Sequence, residues 1–220
     1  MNAAPQPELE LPITESLLPP KQAAARWASA VHEAGHAVVS IFYEIPLTSM
    51  RIDSHGVRGK RFVTGLVCNE YKTNKPPVRG PERARWISKL IVIKYAGFFA
   101  EQKANPSANG DGSWEDYDSI HKLLLKKSPC KRKPDLNNGS QQPPAEAEIA
   151  RAYNALSRRL VLIAGRLVDW LYPIIVMVAH TLLERRRMTG EEVVALAGPL
   201  IAKKRAAMNR PRRLKNEILD

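Results

Sequence analysis

Residues 26 to 43 read RWASAVHEAGHAVVSIFY, and within them His32-Glu33-Ala34-Gly35-His36 spells H-E-x-x-H. Residues four apart on a helix share a face, so the two imidazoles could close on one metal ion, with Zn–N bonds of about 2.0 to 2.1 Å. Glu33 falls on the flank of that face, where its carboxylate could take a proton from water at the metal rather than bind the ion. Such an arrangement serves hydrolysis. A shuffled chain of this composition would carry the pattern with a chance of about 0.8%, so two unrelated core histidines are the weaker explanation.

The stretch that carries these residues has the marks of a helix. It holds no proline, and Trp27, Val31, Ala34, Val38 and Ile41 recur at three- and four-residue steps, while Ser29, His32, His36 and Ser40 share another face. Pro20 and Pro46 bracket it, so the helix is expected from soon after Pro20 to about Tyr43. Gly35 in mid-helix costs about 1 kcal/mol against alanine and calls for a reason such as close backbone approach.

Two histidines leave a catalytic zinc short of its usual three protein ligands. Glu70, Glu101, Asp111, Glu115, Asp116 and Asp118 are the acids that could complete it. Asp116 falls in the first turn of a helix begun at Trp114 and continued by Ile120, Leu123 and Leu124, where an acid is also favoured by the helix dipole alone, by about 0.3 to 1 kcal/mol. A general glutamate-type zinc site would select Glu101 instead.

The spelling HEAGHAVV resembles the peptidase domain of the FtsH-type zinc metalloproteases, and the likeness extends in weaker form over roughly residues 25 to 195. That family places an aspartate ligand in a Gly-small-x-x-Asp frame ahead of a helix, which Gly112-Ser113-Trp114-Glu115-Asp116 matches. The resemblance therefore implies His32, His36 and Asp116 as metal ligands, Glu33 as catalytic base and Zn2+ as cofactor. Its second helix ends in a small-residue patch followed by Ala-Glu, and Ala96-Gly97-Phe98-Phe99-Ala100-Glu101 is similar. On that likeness Gly97 lets the second helix approach the metal helix, and Glu101 orients one imidazole through its free ring nitrogen. Leu182-Leu183-Glu184 and Gly190-Glu191-Glu192 resemble the family's C-terminal helices. The chain departs from the family in two respects: these residues contain no G-x-x-x-x-G-K-[ST] loop for ATP and no uncharged membrane-length stretch, since Arg166, Asp169, Pro173 and His180 interrupt the apolar run from Leu160 to Leu183.

The other elements are read around this site. Leu47 to Tyr71 alternates like two or three short strands about a glycine loop that holds His55, and residues 62 to 68 are an edge to which an extended peptide could add. A second helix starts at Pro81 or Glu82 and runs through Glu101. Residues 128 to 145 are a Pro- and Asn-rich loop containing Cys130. From Glu146 to Arg187 two long helical segments are expected, broken near Pro173, and Thr189 with Glu192 forms a capping box for the next. His121 reads as a helix-surface residue and His180 as a core one.

The expected fold class is α+β, mainly α-helical, with a metal-binding helix, a small β-sheet and a C-terminal helical bundle. In domain terms, 1–20 is a disordered arm, 21–127 the metallopeptidase core, 128–145 a flexible loop, 146–201 the helical remainder of the same domain and 202–220 a basic tail. The net charge of +12 collects at Lys126 to Lys133 and in that tail. Without interleaved aromatics it fits a solvated or anion-binding segment better than a dedicated nucleic-acid surface. Two cysteines, Cys68 and Cys130, and no secretory pattern at the start place the chain in the cytoplasm.

The function expected is a zinc-dependent endopeptidase acting on unfolded or flexible polypeptides, ATP-independent by itself or beside a separate unfoldase. The alternatives are a non-catalytic, zinc-stabilised binding module of the same fold and an anionic-surface or nucleic-acid-binding protein that uses the basic tail.

Overall fold

The computed structural model describes residues 20–57, 60–69, 80–106, 114–127 and 146–208. The arm at 1–19, Glu70, Asp111, Cys130, the loop at 128–145 and the tail beyond 208 lie outside the described residues. The elements follow in the order α1 (Pro20–Phe42), β1 (Leu47–Val57), β2 (Lys60–Asn69), α2 (Gly80–Ala104), α3 (Trp114–Lys127), α4 (Glu146–Arg185), β3 (Arg187–Thr189) and α5 (Gly190–Met208). This is the α+β, mainly helical architecture that the sequence predicts.

Helix α1 is buried almost all round from Ala30 to Ser40, because α2, α4 and the sheet all pack on it. Its small residues Ala30, Ala34 and Ala37 admit close neighbours, while Val31, Val38 and Phe42 fill the core, each large side chain contributing about 1.5 to 3 kcal/mol on burial. The helix closes in a Schellman turn: Ile45 N–H donates to Ser40 O at 2.9 Å and Glu44 N–H to Ile41 O at 3.0 Å, with Glu44 left-handed at φ 58°. Pro46 then prevents any return to helix.

The sheet has the order β2-β1-β3, with β1 antiparallel to both neighbours. Met50 pairs with Val67 on one side and Met188 on the other, and Met50, Ile52 and Met188 are buried against the helices. Residues 62 to 68 therefore do lie in an edge strand. His55 is not in a loop: it pairs with Phe62 within the β1–β2 ladder, which extends to Val57 opposite Lys60. Strand β3 is absent from the sequence reading, since three residues are too short to display alternation.

Helix α4 corrects the expected break at Pro173. It runs unbroken for 40 residues through that proline, although the missing N–H leaves Asp169 O without its intrahelical donor. Side chains of α5 and α2 dock on this turn: the Lys204 ammonium donates to Trp170 O at 2.6 Å and lies 5.0 Å from the Trp170 ring centroid, and Lys103 pairs with the Asp169 carboxylate. Leu160, Ala164, Leu167, Leu171, Ile175, Val178 and Leu182 turn one buried stripe to the core. By length and composition alone the part from Tyr153 to Arg185 would also suffice to cross a membrane.

Helix α5 opens with the predicted capping box, in which Glu192 N–H donates to Thr189 Oγ1 at 3.2 Å and Thr189 N–H to Glu192 Oε2 at 2.7 Å. It continues to Met208, so Lys203, Lys204 and Arg205 belong to a helix. Arg205 reaches Glu44 at 2.6 Å and lies over the Phe42 ring, tying this end to the turn after α1.

Candidate metal centre

The core of α1, α2 and the first turn of α3 brings His32, His36 and Asp116 to one point. His32 Nε2 and His36 Nε2 are 3.0 Å apart, and Asp116 Oδ2 lies 3.0 Å from the first and 2.9 Å from the second. The three residues and Glu33 are between 5% and 8% exposed. Ile120 and Leu124, one and two turns beyond Asp116, are buried and anchor α3 so that its N-terminal turn faces α1.

Which ring nitrogens face the centre follows from their other partners. His36 Nδ1 donates to Ile93 O at 2.7 Å, an oxygen that can only accept, and His32 Nδ1 donates to Glu101 Oε2 at 2.9 Å. With both Nδ1 atoms protonated, the neutral rings present two Nε2 lone pairs, and Asp116 adds a carboxylate lone pair at the same spot. Such lone pairs repel one another unless a proton or a metal ion lies among them. The triangle they form approaches the edge of roughly 3.3 Å expected for tetrahedral ligands with bonds of about 2.0 to 2.1 Å. This set could hold a metal ion.

Charge tells the same story. Burial disfavours the charged form of His32, yet hydrogen bonds to Asp116 and Glu101 and the nearby Glu33 override it and raise its pKa from 6.5 to about 10. For Asp116 burial again works against charge, but His36, the hydrogen bonds from both imidazoles and Lys94 hold its carboxyl well below the usual carboxylate range. Burial pushes Glu33 up, against the opposing pull of His36 and His32. The centre favours positive charge between the imidazoles and an ionised Asp116.

Two glycines make the approach of α2 feasible. A Cβ on Gly97 would stand 2.5 Å from both Cε1 and Nε2 of His36 and 2.8 Å from His32 Nε2, so any side chain there would displace the rings. Gly35 faces α2 from the other helix, where a Cβ would meet Ala96 O at 2.7 Å and Ala100 Cβ at 2.9 Å.

The acids considered as third ligand thus separate by position. Asp116 reaches the Nε2 side, while Glu101 sits behind His32 on Nδ1 and orients it. Glu115 and Asp118 are exposed, with Asp118 paired to Lys122 at 2.5 Å. His121 is exposed and bonded to Tyr153 Oη at 2.9 Å, and the half-buried His180 meets Trp27 with ring centroids 4.7 Å apart and planes tilted by 43°. Lys94 escaped the sequence reading: its Nζ donates to Asp116 Oδ1 at 2.7 Å. The available signal was a lone cation in the apolar run Leu90 to Phe99, which calls for a partner.

No protein-family model matches this chain, and no curated protein matches it.

Proposed function

We propose that the chain is a zinc-dependent endopeptidase, with His32, His36 and Asp116 holding the ion and Glu33 handling the protons. The convergence of three buried lone-pair donors beside the buried Glu33 carries this reading. Nitrogen and carboxylate ligands in a three-residue set suit zinc and leave a further position for a reactant. When bound, zinc supplies Lewis-acid polarisation of the scissile carbonyl and a more acidic water.

The remaining work falls to the chain. Glu33 accepts a proton as the water oxygen attacks the carbonyl carbon, and returns it to the amine nitrogen as the C–N bond breaks. Its raised pKa suits both halves of that exchange. Glu101 and Ile93 O fix the imidazoles, so the ligands need no reorganisation during the reaction. The sheet edge at β2 offers main-chain partners for an extended substrate, and an unfolded or flexible polypeptide meets that demand. No ATP-binding loop occurs in these residues, so forced unfolding would come from a separate unfoldase. We read α4 as a core helix on the strength of its buried stripe, and we place the site of action in the cytoplasm on the cysteine usage.

Hydrolysis of an unfolded protein substrate by the wild-type chain and by Glu33→Gln tests the proposal. Activity that depends on metal and disappears in the variant supports it. Equal turnover by both would leave a zinc-stabilised scaffold that binds partners.

A further inference from the structure

Helix α2 touches the metal centre at four points: Ile93 O on His36, Lys94 on Asp116, Gly97 beneath the rings and Glu101 on His32. Three of these have obvious work. Lys94 is the fourth, and its contact is selective. The ammonium takes Oδ1, whereas Oδ2 alone faces the two Nε2 atoms. An ionised carboxylate offers two oxygens and can grip a cation through both. Here one is already committed to a charge-assisted hydrogen bond of 2.7 Å.

The Lys94 side chain is one-third exposed.

We propose that Lys94 is a positioning residue for the metal centre: it reserves Asp116 Oδ2 as the single carboxylate atom offered to the ion. This rests on the metal reading above but not on peptidase activity. Methionine replaces the stem without the charge, and arginine restores charge and donor.

The test is zinc titration of metal-free wild type, Lys94→Met and Lys94→Arg against a chromophoric chelator, with the cobalt(II) absorption spectrum of each. Lys94→Met should bind zinc about 10- to 100-fold more weakly, with helix content by circular dichroism unchanged and a weaker visible cobalt spectrum as the freed oxygen joins the ion. Lys94→Arg should recover most of both. Wild-type affinity and spectrum in Lys94→Met would overturn the proposal. Should that variant not fold, Lys94→Gln takes its place, and wild-type affinity there overturns it equally. A wild-type protein that binds no zinc would instead sink the metal reading itself.

Discussion

Gly97 and His36 are in such close contact that a single methyl group on the glycine would lie 2.5 Å from the imidazole. Gly97→Ala must therefore tilt His36, and His32 with it, or push α2 away from α1. We expect a loss of about 1 to 3 kcal/mol in metal-free stability, the usual range for overpacking, and weaker zinc binding. Urea unfolding with and without chelator checks both. A variant as stable and as tightly zinc-bound as wild type would show that the helices are farther apart than described.

Asp116 and Glu101 occupy opposite sides of His32, and their removal should differ in kind. Asp116→Ala takes away a ligand and should abolish stoichiometric zinc. Glu101→Gln keeps a hydrogen-bond acceptor on Nδ1 and should weaken zinc by about 10- to 100-fold at most. Metal analysis after gel filtration distinguishes them.

Glu33 touches neither of the hydrogen bonds that fix the rings, so Glu33→Gln should retain zinc at wild-type stoichiometry. Its turnover of an unfolded substrate should fall by about 10²- to 10⁴-fold, the typical contribution of a general base. Loss of zinc together with activity would make Glu33 a structural member of the centre.

Protonation gives a pH signature. The His32 pKa is raised from 6.5 to about 10 in the folded, metal-free chain, so its contribution to stability is complete below about pH 6.5 and is lost as pH rises toward 10. Asp116 is shifted the other way from 3.8, and its contribution is present above that value and lost on acidification. Metal-free protein should thus melt highest between about pH 4 and 6.5 and decline on the alkaline side. Zinc takes the place of the His32 proton, so binding should release a proton near pH 7 and tighten with pH. Calorimetry in buffers of different ionisation heat measures that release, and thermal melts trace the decline.

At the other end of the fold, Thr189→Ala removes the hydroxyl that caps α5. A loss of about 1 kcal/mol is expected, with zinc affinity unchanged, because β3 and the capping box are remote from the ligands in the chain.

Local signals carried far in this sequence. The proline pair at Pro20 and Pro46 bounded α1, the H-E-x-x-H spacing located the two imidazoles, and the Thr189–Glu192 pair marked α5. Asp116 was reachable only through a resembling frame, because a first-turn aspartate looks alike whether it meets a metal or only the helix dipole. Pro173 does not break α4, which packs against α1 and α2, and such tertiary support leaves no trace in local spacing. Lys94 was overlooked for a similar reason: its partner lies 22 residues on, and no spacing rule connects them. His55 lies in β1, yet Ser54 and Gly56 stand where apolar residues would have to follow Met50 and Ile52 for alternation to show it.

X-ray absorption at the zinc edge of the loaded protein addresses the central claim most directly. Two imidazole nitrogens and carboxylate or water oxygens, all at about 2.0 to 2.1 Å, are the expected neighbours of the ion. A sulfur shell near about 2.3 Å, which would put Cys68 or Cys130 on the zinc, or a failure of the protein to take up zinc at all, would contradict the account.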